Sequence, residues 1–504
     1  MKTGYEEIQK ASTNARIKFL LKDSIVYGGV SAASKFLHVF TLPLLTRVFS
    51  REQYGIFDAL TVIGGLIIPI IILGTDSSIA RFFYEIENNE IEKKKQLVSQ
   101  TLLFEIIFSI TICACFYLNS RLILNFYLDS IQYNHAFRVL LISIPFVILV
   151  RFSQNLLKWT FRRAKFLIIS AGSIVSVLSL TIIFILVLER EIIFIFYAQL
   201  IGMFLFSIIG LYFCKDFFVI PKNFKYILPQ LKFGYPFMIT CLITSLLPTL
   251  DRYFIAKYLN LSLLGIYAVG NKLSQFSQIA INGFQIAWGP LAYSIMKEDN
   301  KEKTYNKVFQ YYSIFIALFI FFLTLFSKQF ILLFSTSEYL PAIYIMLPLI
   351  LSKLILSASG ISAVGIDLSK RTYYHVLSDS TGIAVTVTLI LIFIKPLGLI
   401  GVASSILIGR IVNVILKNYV AYKINKVKFY FKNPIILLSF STFIACIYLI
   451  SINSHFIYKI PIAGIWIGFI ILFSWNKLLD ISDKDFILKK VSTAIKMGPK
   501  IINK

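Results

Sequence analysis

The stretch YGIFDALTVIGGLIIPIIILG, residues 54–74, decides the fold class of this chain. It is almost entirely apolar, with Asp58 as its one charged residue. A helix needs roughly 20 such residues to cross a hydrocarbon core about 30 Å thick. Because every backbone amide in lipid must find its partner within its own segment, an apolar run of this length is expected to be helical. The chain is therefore predicted to be an integral membrane protein.

Similar apolar runs recur along the whole sequence. Hydrophobic residues make up 57% of the 504 residues and charged residues only 15%, which differs from the balance of ordinary soluble domains. We therefore expect an all-α integral membrane protein with about fourteen transmembrane helices, in two six-helix lobes plus two C-terminal helices. The predicted spans are Ser24–Thr46, Tyr54–Gly74, Leu97–Leu118, Ala136–Leu157, Phe166–Leu188, Ile192–Cys214, Phe233–Ala256, Gly265–Trp288, Val308–Phe326, Tyr339–Gly360, Thr372–Ile394, Leu397–Val420, Pro434–Ile452 and Ile460–Trp475.

Two hairpins of the sequence resemble each other, which indicates an internal duplication. Residues 44–57 align without a gap with residues 254–267, and in both a Gly-Ile-aromatic step begins the second helix. Chance similarity between two apolar hairpins is the alternative. A duplication divides the chain into an N-lobe at residues 1–220, a C-lobe at residues 221–430, and two further helices with a cytoplasmic tail at residues 431–504.

The formal net charge of +25 comes mainly from basic residues in alternate gaps between the spans and at both termini. By the positive-inside rule this pattern predicts a multi-pass protein of the inner (cytoplasmic) membrane with both termini in the cytoplasm. Because this topological signal accounts for the net charge, no nucleic-acid partner is expected.

Polar side chains follow helical spacing within two of the predicted spans. Amides and hydroxyls that face lipid cost free energy, so these faces must meet another helix or a water-filled cavity. Hydrogen bonding between packed helices is the simpler alternative. The eighth span carries Asn271, Gln275, Gln278, Asn282 and Gln285, with Lys272 beside them, and the first span carries Ser24, Tyr27, Ser31, Ser34, Lys35, His38 and Thr41.

Charged residues also occur inside the predicted spans, where a charge needs a partner or water. The deeper cations Lys35, Lys353 and Arg410 predict a cavity that attracts an anion such as a pyrophosphate. The acids are candidates for coupling to an ion, either Na⁺ or H⁺, or for structural pairing with cations across helices. Some of these groups could instead lie at the membrane interface. The acids are Asp58, Glu105, Asp251 and Asp379.

Sequence signatures of soluble enzyme sites do not occur in the chain. There is no phosphate-binding P-loop, no HExxH, no zinc-ligand spacing and no GxSxG elbow, and the four histidines are scattered. We therefore expect neither catalysis nor a cofactor.

Several segments together resemble the polysaccharide-flippase (Wzx-type O-antigen) branch of the multidrug/oligosaccharidyl-lipid/polysaccharide exporter superfamily. The match covers nearly the whole chain, although each piece alone is short. It is most specific at the start of the second lobe. The segments are Leu44–Arg47 with Tyr54-Gly55, Gly74–Phe82, Phe233–Pro236 with Asp251-Arg252 and Gly265–Tyr267, Ala287–Pro290, and Pro396–Ala403.

The resemblance implies alternating access by two lobes, with a polyprenyl-pyrophosphate-linked oligosaccharide as cargo for O-antigen, capsule or exopolysaccharide assembly. It also implies membrane lipid, a polysaccharide polymerase and glycosyltransferases as partners. From their depth we expect Lys35, Lys272, Lys353 and Arg410 to face the cavity, with His38, Gln275, Gln278 and Asn282 as further substrate-binding candidates. The ion-coupling candidates are Asp58, Asp251 and Asp379.

Two other functions are compatible with these features. A cation-coupled multidrug exporter of the same fold would use the three aspartates for coupling. A membrane polysaccharide polymerase would need a sizeable extramembrane loop, and the short gaps between the spans disfavour it.

Overall fold

The computed structural model describes residues 41–87, 90–188, 191–296, 298–369, 371, 373–453, 456–481, 483–485 and 488. Every regular element in these ranges is a helix, and eleven helical segments are long and apolar enough to cross a membrane. The prediction of an all-α membrane protein is confirmed. The first predicted span up to residue 40, including Lys35 and His38, lies outside the described residues.

The chain forms two compact units. Unit 1 comprises the described residues up to Lys272 together with Leu332–Leu340 and Val387–Val402. Its helices are α1 (Arg51–Ile72), α2 (Thr75–Glu85), α3 (Ile91–Leu118), α4 (Ser120–Leu128), α5 (Asn134–Trp159), α6 (Arg163–Val187), α7 (Ile192–Cys214), α8 (Ile227–Tyr258) and most of α9 (Leu261–Ser274).

Unit 2 comprises Leu273–Ile331, Pro341–Thr386 and the described residues from Ala403 onwards. The lobe boundaries predicted after residues 220 and 430 concern sequence repeats rather than compact units, and they stay a prediction. The remaining helices are α10 (Phe276–Ser294), α11 (Lys301–Leu325), α12 (Ser327–Phe334), α13 (Ile343–Ser362), α14 (Val364–Leu368), α15 (Tyr373–Asn425), α16 (Lys432–Ile450) and α17 (Phe456–Lys477). Part of α12 and part of α15 belong to unit 1.

The prediction of one continuous helix at Gly265–Trp288 is wrong. The chain turns at Gln275, which separates α9 from α10. The Ser277 hydroxyl donates to the Ser274 carbonyl at 2.7 Å, and the Gln278 amide donates to the Gln275 carbonyl at 2.9 Å instead of continuing the helical pattern. Side-chain bonding of this kind competes with the backbone ladder and interrupts a helix.

α15 contains two of the predicted spans. Gly398 has φ +56° and ψ −135°, which breaks the helix between them. Gly382 lies before this break and Gly409 lies after it. A Cβ added at Gly382 would lie 3.0 Å from the Gly409 carbonyl oxygen, so the two halves of α15 pack closely against each other. The eleventh and twelfth spans are therefore present as an antiparallel pair.

The predicted duplication has structural counterparts in unit 1. The side chain of Ser50 accepts the Gln53 amide at 3.2 Å at the start of α1, and the side chain of Asn260 accepts the Leu263 amide at 2.8 Å at the start of α9. Ser50 and Asn260 are equivalent in the alignment, and both residue types are favoured as N-caps. The two hairpins therefore begin their second helices in the same way.

Gly55 and Gly265 are also equivalent in the alignment, and they lie where α1 and α9 touch. A Cβ at Gly55 would lie 2.6 Å from the Gly265 nitrogen, and one at Gly265 would lie 1.9 Å from the Arg51 carbonyl oxygen. Only glycine permits this approach of two backbones. The contact fixes the part of α1 that carries Asp58.

A second close approach joins the start of α2 to α8. Gly74 has φ +77°, and a Cβ there would lie 2.1 Å from the Gly234 carbonyl oxygen. Gly74 therefore serves both the sharp turn between α1 and α2 and the contact with α8.

Replacing Gly55 by alanine should destabilise the protein, because the new methyl group meets the backbone of α9. We expect a loss of about 1–3 kcal/mol, as is typical of overpacking. Gly65→Ala in the same helix is the matched control, since nothing lies within 4 Å of a Cβ there. The thermal unfolding midpoint of the purified protein in detergent measures the difference. Equal midpoints for the two variants would contradict the proposed contact.

Candidate functional site

Arg252 lies at the centre of a buried ion cluster in unit 1. Its guanidinium donates to Asp58 Oδ2 at 3.0 Å and to the two carboxylate oxygens of Asp251 at 2.9 and 3.1 Å. The Tyr267 hydroxyl donates to Asp251 Oδ2 at 2.5 Å, and its ring centre lies 5.1 Å from the guanidinium carbon. Arg252 and Asp251 are each 3% exposed. The cluster thus joins α1, α8 and α9 inside the unit and does not lie at an interface with water.

A second cation lies near this cluster. Lys272, at the end of α9, interacts electrostatically with Asp58 and with Arg252. Arg252 is thus the direct partner of both carboxylates, and Lys272 adds a positive charge near them. Asp58 and Asp251, predicted as ion-coupling residues, are brought together by one arginine. Their role in coupling stays a prediction.

A cavity of about 260 Å³ lies between α1, α5 and α8 of unit 1. Its wall combines apolar residues of α1 and α8 with the hydroxyl groups of Thr244 and Ser245 and the ion pair of Asp76 and Arg151. Arg151 Nη2 lies 2.7 Å from Asp76 Oδ2. This space is large enough for several water molecules, since each occupies about 30 Å³ in the liquid.

Sequence reasoning missed both members of the Asp76–Arg151 pair. Arg151 lies well inside the predicted span Ala136–Leu157, so the same depth argument that selected Lys353 would have selected it. Asp76 lies beyond the end of its predicted span, and only the turn at Gly74 brings it back to the cavity wall.

A second ionic cluster lies in unit 2 and joins the two halves of α15. Lys417 Nζ lies 2.8 Å from Asp379 Oδ1, and the amide of Asn413 donates to the same oxygen at 2.7 Å. Arg410 also interacts electrostatically with Asp379. One carboxylate therefore meets two cations, and the cluster has a surplus positive charge. The structure brings the predicted residues Asp379 and Arg410 together.

The remaining predicted cation and amides lie elsewhere in unit 2. The ammonium of Lys353 in α13 donates to the Ser274 hydroxyl at the end of α9. In α10, Gln278 donates to the side-chain oxygen of Asn282 at 2.8 Å. Gln275 in the preceding turn is exposed. Lys353 is thus placed beside the turn that interrupts the predicted row of amides.

A family model described as "Polysaccharide biosynthesis protein" matches residues 20–296 of this chain. Comparison with curated protein sequences gives no match.

Three solved structures illustrate the similarity of the fold. "Lipid II flippase MurJ, inward closed conformation" aligns with a TM-score of 0.69 at 16% identity, over 90% of this chain and 98% of that one. An inward-facing multidrug resistance MATE family transporter of the MOP superfamily aligns with a TM-score of 0.66 at 16% identity, over 77% and 94%. The MATE multidrug transporter DinF-BH gives 0.59 at 15% identity, over 82% and 96%. At these identities the similarity concerns the fold.

Arg252→Gln should destabilise unit 1 strongly, because it leaves two buried carboxylates without their common partner. Loss of one member of a buried ion pair costs about 3–5 kcal/mol. Lys93→Gln is the control, since Lys93 and its partner Glu90 form a surface pair, and such pairs contribute about 0–1 kcal/mol. Thermal unfolding in detergent compares the two. A loss no larger in Arg252→Gln than in the control would contradict the structural role of the cluster.

Proposed function

The chain belongs to the polysaccharide biosynthesis protein family, and from that membership we propose that it is a flippase for a polyprenyl-pyrophosphate-linked oligosaccharide. The cargo would move from the cytoplasmic to the outer leaflet of the inner membrane by alternating access, for assembly of a surface polysaccharide such as O-antigen, capsule or exopolysaccharide. The family membership agrees with the resemblance read from the sequence.

The observation that carries this proposal is the family match combined with a membrane-transporter fold. The structure named as a lipid II flippase aligns over 90% of this chain. The inward-facing multidrug transporter aligns over 77%. The larger coverage favours a flippase over a drug exporter.

The chemistry of unit 2 supports the same cargo. An oligosaccharide cannot cross hydrocarbon unaided, because its hydroxyl groups would lose their hydrogen bonds. Side-chain amides such as Gln275, Gln278 and Asn282 can replace those bonds. Arg410, which shares Asp379 with Lys417, supplies a positive charge that a pyrophosphate can neutralise through charge-assisted hydrogen bonds.

The proposal includes no cofactor and no catalytic step. Its partners are the lipid-linked oligosaccharide, membrane lipid, and a polymerase and glycosyltransferases of the same assembly. Transport would be coupled to Na⁺ or H⁺. Lys35 and His38 remain candidate cavity residues within the first predicted span, and both termini are proposed to be cytoplasmic.

A cation-coupled multidrug exporter is the second candidate, because the MATE structures share the fold. Efflux of a cationic dye by proteoliposomes, without movement of a lipid-linked oligosaccharide, would favour it.

Arg410→Gln should lower flipping of a polyprenyl-pyrophosphate-linked oligosaccharide in proteoliposomes. Hydrogen bonds to a charged group contribute about 1.5–3 kcal/mol, so the loss should be about tenfold or more. Lys423→Gln is the matched control, since Lys423 is an exposed cation on the same helix. Equal flipping by both variants and the wild type would contradict the role of Arg410. Absence of flipping by the wild type would contradict the proposed function.

A further inference from the structure

Glu105 in α3 is a buried acid of unit 1 to which the proposals above give no role. It is 4% exposed. Its Oε1 lies 2.5 Å from the hydroxyl oxygen of Thr75 at the start of α2, and the same hydroxyl oxygen lies 2.6 Å from the carbonyl oxygen of Ile72 at the end of α1.

The hydrogen bonds at Thr75 can be counted. A threonine hydroxyl has one proton to donate, and a carbonyl oxygen can only accept. If Thr75 donates to Ile72, its contact with Glu105 must be made by a proton on the carboxyl group. Both short contacts are therefore satisfied together when Glu105 is protonated and donates to the Thr75 oxygen.

The charges around Glu105 lead to the same protonation state. Within the described ranges, the charged groups that face it are Asp76 of α2 and Arg151 of α5, and these two balance each other at 2.7 Å. α1 faces it with apolar residues, while α8 contributes Cys241 to the larger cavity. A deprotonated Glu105 would thus be an unbalanced charge, which is unfavourable in an apolar environment.

Glu105 differs in this respect from the other three acids named within the predicted spans. Asp58 and Asp251 share Arg252, and Asp379 contacts Lys417. Among the described residues, the one hydrogen-bond partner of the Glu105 side chain is a hydroxyl group.

The space beside Glu105 is just large enough to admit one water molecule. A cavity of about 10 Å³, about the least volume that can hold a water, is lined by Glu105, Asn155 and the Asp76–Arg151 pair. The same ion pair lines the 260 Å³ cavity. A water molecule here could pass a proton between the larger cavity and the carboxyl group.

The site fits a proton better than a metal ion. Metal cations such as Ca²⁺ need six or more oxygen ligands, and no group of three acids, histidines or cysteines among the described residues could hold one. The guanidinium of Arg151 would also repel a metal cation.

We propose that Glu105 is a proton-binding site that couples transport to a proton gradient. A proton from water in the cavity forms the O–H bond of Glu105, and the same proton returns to water on release. When the proton leaves, the carboxylate accepts a hydrogen bond from the Thr75 hydroxyl, and the Ile72 carbonyl loses its hydrogen bond at the turn between α1 and α2. Protonation therefore acts on the turn that carries Asp76 into the cavity wall. The coupling part rests on the proposed function, whereas proton binding does not.

Infrared difference spectroscopy of the purified protein tests proton binding directly. Titration across the neutral pH range should change the carbonyl stretching band of a protonated carboxylic acid. Glu105→Gln should lack this change, because its amide mimics the protonated form. Glu92→Gln, at an exposed acid of the same helix, should keep it. A band that persists in Glu105→Gln overturns the proposal.

Glu105→Asp covers the case in which Glu105→Gln does not fold. The shorter side chain keeps a carboxyl group but changes its hydrogen bond to Thr75, so the band should move in frequency. A band at the wild-type position would overturn the assignment.

Proteoliposomes with an imposed pH difference test the coupling. A difference of about one pH unit changes the protonation ratio about tenfold, so wild-type flipping should depend on the direction of the gradient by up to that factor. Glu105→Gln should flip at a rate independent of the gradient. An equal response of variant and wild type overturns the coupling. A wild type that moves no lipid-linked oligosaccharide refutes the proposed function, while the infrared titration still decides the proton site.

Discussion

The constraint on which this structure depends is the cost of an unbalanced charge between apolar helices. Most of the buried acids meet it with a cation from another helix or from the other half of the same helix. Asp58 and Asp251 share Arg252, Asp76 pairs with Arg151, and Asp379 pairs with Lys417. Pairs of this kind hold helices together, and they need no ligand. A ligand has to be considered for the buried charged side chains that this pairing leaves without a counter-charge.

Glycine permits close approach of backbones beside these ion pairs, but it assists the ionic contact directly in one of them. Asp379 precedes Gly382, which touches Gly409 in the half of α15 that also carries Lys417. Gly55 and Gly74 instead touch α9 and α8, whereas the partners of Asp58 and Asp76 lie on α8 and α5. These two glycines therefore position the segments that carry the aspartates and do not bring the partner helices closer.

The sequence predicted the helical class and nearly all the spans, because the apolar runs are long and separated by polar gaps. It also identified Asp58, Asp251, Asp379 and Arg410 as intramembrane charges, since depth within a span can be read from position. It could not predict which charges pair, because partners such as Asp58 and Arg252 come from distant parts of the chain. The break at Gln275 was missed because regular helical spacing gives no sign of side-chain bonds to the backbone, and Asp76 was missed because its position depends on the turn at Gly74.

Among the described residues, Glu105 and Arg410 are two groups without a full counter-charge, and they differ in sign and in chemistry. Glu105 in unit 1 can lose its charge by binding a proton, so it can be neutral without any other ligand. Arg410 in unit 2 cannot, because a guanidinium stays protonated in proteins, and Asp379, the acid with which it interacts in the described part of the chain, is already held by Lys417. Its charge has to be met by an anion or by water. A proton for one unit and an anion for the other are the ligands that the proposals above assign to these two charges, and both assignments follow from the same requirement that a charge between apolar helices be neutralised.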